Sequence, residues 1–179
     1  WNFDNNKILD IISKNLPKSD KKGLANSGVS ANPYHFYWGL EKYLKLNHNI
    51  KYCSIERKDI ESNLELLQNC HVIIVESFED DKTLLKSNKL KIGDSEFTLD
   101  SAVLRDVDAQ HFMAFITLNN VDYGFDGEAK SRLVKFNWKS RLKKNMGEFE
   151  FIPEDHTPGN MKFDFLNGYK MLFYYKTKN

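Results

Sequence analysis

Apolar residues recur at three- and four-residue intervals in the first third of the chain and in short, strand-like runs through the rest. Ile8, Leu9, Ile11, Ile12 and Leu16 follow an Asp/Asn start at Asp4 to Asn6 and predict a helix that ends at Pro17. Phe36, Tyr37, Leu40, Tyr43 and Leu44 predict a second helix with one strongly apolar face. Pro33 suits its first turn, where the missing N–H costs nothing. The segment before it, Gly23-Leu24-Ala25-Asn26-Ser27-Gly28-Val29-Ser30-Ala31-Asn32, is polar and glycine-punctuated, so the two together form a loop-to-helix junction. A third helix is predicted over 59–68, with Ile60, Leu64 and Leu67 in phase.

From His71 onward the pattern predicts strands over 71–77, 90–92, 97–105, 111–119, 122–125, 148–152 and 169–176. Connections such as Asn119-Asn120 are short, which favours antiparallel pairing of neighbours. Helices followed by strands predict an α+β domain rather than a doubly wound sheet.

At 179 residues and 41% hydrophobic content, one domain is expected over 1–179, with a helical part at 1–70 and a β-rich part at 71–179. Twenty-six basic residues against 25 acidic ones give no concentrated positive field, which argues against nucleic acid as a partner. No apolar run approaches the roughly 20 residues of a membrane span. Cys53 and Cys70 stand alone, without the second pair a zinc site needs, and their scarcity points to a reduced, intracellular setting. His48, His71 and His156 have no ligand spacing and no metal site is predicted, while His35, close to the loop before Pro33, reads as decorating a helix face rather than serving chemistry. The absence of an initiator Met and of a signal-like pattern suggests that Trp1 marks a boundary within a longer protein. The basic stretch Lys139 to Lys144 reads as a solvated face, or as a surface for an acidic partner. The aromatic run Tyr34 to Trp38 reads as helix-to-sheet packing.

Two segments carry candidate chemistry. His111 opens an apolar strand, and 15 residues on (126 minus 111) Asp126 ends the next one. Pairing around Asn119-Asn120 would bring Asp126 to the imidazole, where a carboxylate can fix the tautomer of a general base. Taken separately, His111 reads as a structural histidine and Asp126 as a turn residue before Gly127. The loop before Pro33 is the second segment. A nucleophile there would have backbone N–H groups and a helix dipole beside it, and Asn26 could add an amide donor. The bland alternative is a loop that caps a helix.

These segments together resemble the ubiquitin-specific protease family. Its nucleophile box, Gly-Leu-x-Asn-x-Gly-x-x-Cys, is matched from Gly23 through Leu24, Asn26 and Gly28, with Ala31 where the cysteine belongs. Its histidine box is similar to Phe97-Thr98-Leu99, His111-Phe112-Met113-Ala114 and Phe125-Asp126-Gly127, and its closing strand to Met171-Leu172-Phe173-Tyr174. The resemblance implies a papain-like cysteine protease fold, with N-terminal helices packed on a C-terminal antiparallel sheet. It implies hydrolysis after the Gly-Gly tail of ubiquitin or a ubiquitin-like protein. Residue 31 would be the nucleophile position, His111 the base, Asp126 its orienter and Asn26 an oxyanion-hole donor, in a monomeric, cytoplasmic or nuclear protein that needs no cofactor.

Departures from the family pattern bear on what the chain can do. A methyl group at Ala31 cannot form an acyl-enzyme, so the chain as it stands is expected to bind rather than cleave. Either an engineered replacement or a natural pseudoprotease would account for it, and the retained Asn26, His111 and Asp126 favour the former. The 80-residue interval from Ala31 to His111 (111 minus 31) leaves no room for a full fingers subdomain, whose paired zinc cysteines are absent. Gln110 and Gly127 replace the usual glycine and acidic residue. Neither change removes the His–Asp pair.

Overall fold

The computed structural model describes residues 10, 14, 45, 48–78, 87–107, 111–126, 133–144, 147–151 and 162–178. The chain divides into two compact units, Trp1–Tyr52 and Cys53–Asn179. In the first, Asp10 and Lys14 are helical and exposed, one turn apart with Nζ 2.5 Å from Oδ2. The helix predicted after Pro33 lies outside the described residues.

Described strands are β1 (Tyr52–Glu56), β2 (Val72–Ser77), β3 (Lys89–Ile92), β4 (Ser95–Arg105), β5 (Phe112–Leu118), β6 (Val121–Phe125), β7 (Val134–Lys135) and β8 (Lys170–Lys178). They form one sheet in the order β1-β2-β8-β4-β5-β6-β7, with β3 also paired to β4. Two short helices, α1 (Leu64–Gln68) and α2 (Trp138–Lys144), complete an α+β arrangement among the described residues. The last strand is therefore interior, antiparallel to both β2 and β4. Lys170, Met171, Leu172 and Tyr174 in it are all buried, as expected of a strand covered on both faces.

β4 illustrates how the sequence sets the core face. Its buried positions are Ser95, Phe97 and Leu99, then Ala102 and Leu104. The phase changes where the pairing with β8 slips between Leu99 and Ser101, since one extra residue in a strand reverses its alternation. After the slip, Leu104 faces Met113 and Ala102 faces Phe115 across the β4–β5 ladder, so buried residues meet buried residues. Phe115 is the hub of the core over β5. Phe136, Trp138, Phe149, Phe151 and Phe165 surround it at centroid separations of 5.2 to 6.2 Å.

Several elements differ from the pattern-based expectations. Over 59–68 the α-helix begins only at Leu64, after 3-10 turns at Arg57–Asp59 and Glu61–Asn63. Ser62 Oγ and Asn63 Nδ2 both donate to the Asp59 carbonyl, 3.0 and 2.8 Å away, and such local bonds compete with the helical ladder. Of the predicted strand over 148–152, the described residues 148–151 form only an isolated bridge between Phe149 and Phe163. The stretch 139–144 is not a uniformly solvated face: Lys139 is half-buried, and the Arg141 guanidinium lies 5.0 and 5.1 Å from the Phe136 and Phe149 rings. Cys53 lies in β1. It is joined to Cys70 as a disulfide with the Cα atoms 6.0 Å apart, where the sequence reading expected reduced thiols. Among the described residues no helix is long and apolar enough to cross a membrane.

Candidate functional site

The β5–β6 hairpin builds the candidate site. Asn119 and Asn120 form its turn with φ of 51° and 62°, the left-handed pair that a two-residue hairpin requires and that asparagine tolerates. This turn fixes the register Leu118↔Val121 through Ala114↔Phe125. One step further sets Met113 against Asp126, with His111 two residues along the same face from Met113. His111 and Asp126 are thus diagonal cross-strand neighbours, a spacing that long side chains bridge.

His111 Nε2 donates to Asp126 Oδ1 across 2.9 Å. The Asp126 side chain is fully buried and that of His111 is 12% exposed, so water screens the pair weakly. A carboxylate held in this way can orient an imidazole and stabilise it when protonated. Because Nε2 faces the carboxylate, acid–base chemistry at this ring would run through Nδ1. The backbone anchors the histidine as well: the Asp106 N–H donates to the His111 carbonyl at 2.8 Å, one step beyond the Arg105↔Phe112 pair.

The predicted site residues therefore divide. His111 and Asp126 are brought together, whereas Asn26 and Ala31 lie outside the described residues, as do His35 and His156. His48 and His71 are exposed. Asp106, which was not singled out from the sequence, is the described residue whose main chain holds His111. Its only signal was its place at the end of a predicted strand.

A cavity of about 660 Å³ lies elsewhere, lined by Thr117, Asn120, Val121, Asp122, Lys135, Phe136, Asn137 and Lys139. It sits at the turn end of the hairpin, whereas His111 and Asp126 are at the open end, about 20 Å away along β5. Asp122 organises this region by accepting from the Thr117 hydroxyl at 2.7 Å and the Lys139 N–H at 3.3 Å. Burial pushes the Lys139 ammonium below the usual lysine range, while the charges of Asp122 and Asp100 oppose that shift. Burial raises Asp100 in turn, against the pull of Lys139 and Ser101.

No family model matches the chain, and no curated protein matches it. Among solved structures, the chain is similar to one described as the crystal structure of an essential yeast splicing factor, at 9% identity and a TM-score of 0.46. That similarity covers 89% of this chain, which spans about half (52%) of the matched chain.

Proposed function

We propose that this chain is the core of a papain-like cysteine isopeptidase of the ubiquitin-specific type, held inactive by Ala31. The observation that carries the reading is the buried His111–Asp126 hydrogen bond of 2.9 Å. It joins two residues that the family pattern pairs and that the sequence separates by 15 positions (126 minus 111). In the sulfur-bearing form, residue 31 attacks the carbonyl after a ubiquitin-type Gly-Gly tail, His111 moves the proton and Asp126 orients His111. Asn26 and nearby backbone amides hold the oxyanion. The intracellular compartment belongs to the same proposal.

Restoring Ala31→Cys tests it. Hydrolysis of a ubiquitin-like C-terminal fluorogenic substrate, abolished by His111→Ala, is the expected result. A folded Ala31→Cys protein that cleaves neither ubiquitin nor its relatives refutes the enzymatic reading. Ala31 itself favours a second one, a pseudoprotease that holds a ubiquitin-like tail without cleaving it. Calorimetry of the unaltered chain with ubiquitin and its relatives measures that binding directly, and no heat with any of them refutes it.

A further inference from the structure

We infer that Asp106 is a positioning residue for His111, an assignment that rests on reading His111 as the acid–base group. Three observations converge on it. First, Asp106 takes the last rung between β4 and β5, its N–H donating to the His111 carbonyl at 2.8 Å. Second, its carboxylate is buried (2% exposed) and accepts the Lys162 N–H at Oδ2 across 2.8 Å. Third, Asp106 bridges to Phe163, and the next residue, Val107, donates its N–H to the Lys162 carbonyl at 2.9 Å. One residue thus ties the start of β5 to a segment that lies 56 positions after Asp106 itself.

The side chain decides how firmly this tie holds. A carboxylate accepting a backbone N–H is among the stronger hydrogen bonds, and removing it strands a donor beside the sheet. His111 stands outside β5, beyond Phe112, and the Asp106 rung continues the β4–β5 ladder to it. Loosening residue 106 therefore frees the His111 backbone. A diagonal contact has little slack, so a displacement of about 1 Å separates the imidazole from Asp126.

The test uses Asp106→Ala and Asp106→Asn, the second retaining an acceptor for Lys162 N–H, each made with and without Ala31→Cys. Two readouts are followed: the downfield ring N–H proton resonance of His111, in the chain carrying Ala31, and kcat and KM in the Ala31→Cys background. For Asp106→Ala the resonance is expected to broaden or vanish, and kcat to fall about tenfold to a hundredfold with KM nearly unchanged. Asp106→Asn is expected to restore both. An Asp106→Ala protein that loses thermal stability but keeps the resonance overturns the assignment, because Asp106 would then be structural only. If that variant does not fold, Asp106→Ser, too short to reach Lys162, takes its place under the same criteria. The resonance is read without catalysis, so an inactive Ala31→Cys protein refutes the proposed enzyme while leaving the Asp106 assignment decidable.

Discussion

Replacing Gly124 with alanine sets two effects against each other, and their magnitudes predict the sign. Glycine inside a strand costs about 0.5–1 kcal/mol relative to alanine, so propensity alone makes Gly124→Ala stabilising. A Cβ at residue 124, however, would lie 2.5, 2.7 and 3.2 Å from Cε2, Cζ and Cδ2 of Phe151. Carbon atoms rest about 3.5–4.0 Å apart, so the ring must retreat by about 1 Å. Phe136 stands edge-on to it at 5.2 Å and Phe115 at 6.2 Å, which closes off the obvious directions. Overpacking of this kind costs about 1–3 kcal/mol and outweighs the propensity gain, leaving a net loss near 1–2 kcal/mol. With a urea slope of about 2 kcal/mol/M, the midpoint followed by circular dichroism drops by about 0.5–1 M. Phe151→Leu removes the ring edge, so in that background Gly124→Ala is expected to be neutral or stabilising. A midpoint that rises in the single variant, or an identical loss in the Phe151→Leu background, refutes the steric argument.

Other outcomes follow from equally local features. Reducing the Cys53–Cys70 bond opens a cross-link between residues 17 apart, worth about 3 kcal/mol by loop-closure entropy, so the urea midpoint falls on adding reductant. Two titratable thiols in the unreduced protein contradict this. The buried Tyr174 hydroxyl has no hydrogen-bond partner among the described residues, and burial pushes its pKa well above the usual tyrosine range. Tyr174→Phe is therefore expected to raise stability by about 1 kcal/mol in thermal melts, and a clear loss refutes the assignment. Asp100, half-buried, holds its proton more tightly folded than unfolded, so its contribution to stability declines as pH rises through the window just above 3.8. Melting temperatures of Asp100→Asn and of the unaltered chain should converge toward the acid side of that window, and parallel curves refute the shift.

What the sequence revealed about the site depended on short-range geometry. Alternation in β5 and β6, with Asn119-Asn120 between them, contains the register, and the register implies the His111–Asp126 contact. Closing so short a hairpin costs little chain entropy, so local pattern and final structure agree. Asp106 was not legible for the opposite reason. Its partner, Lys162, lies 56 residues away, and the bond to it is a side-chain-to-backbone one that leaves no periodic trace. The two short helices follow the same rule. α1 is shortened by local bonds from Ser62 and Asn63, while α2 hides in a stretch whose charge suggested solvent although Trp138 and Leu142 are buried.

The placement of β8 bears on how the site is held. Hairpins and meanders pair strands in chain order, which is why β3 through β6 were readable in sequence, whereas the two-residue β7 is too short to show alternation. The insertion of the final strand between β2 and β4 joins segments about 70 to 100 residues apart, a cost met only once a large buried surface forms. Its residues state that demand: Met171, Leu172 and Tyr174 offer little that water would solvate well. Lys170, buried with them, donates to the carbonyls of Leu166 and Gly168, each at 3.3 Å. β4 is thus gripped on one edge by β8 and carries β5 on the other, and the Arg105 N–H at its end donates to the Tyr169 carbonyl. The short-range hairpin brings His111 to Asp126, and the long-range strand makes the platform beneath that contact rigid.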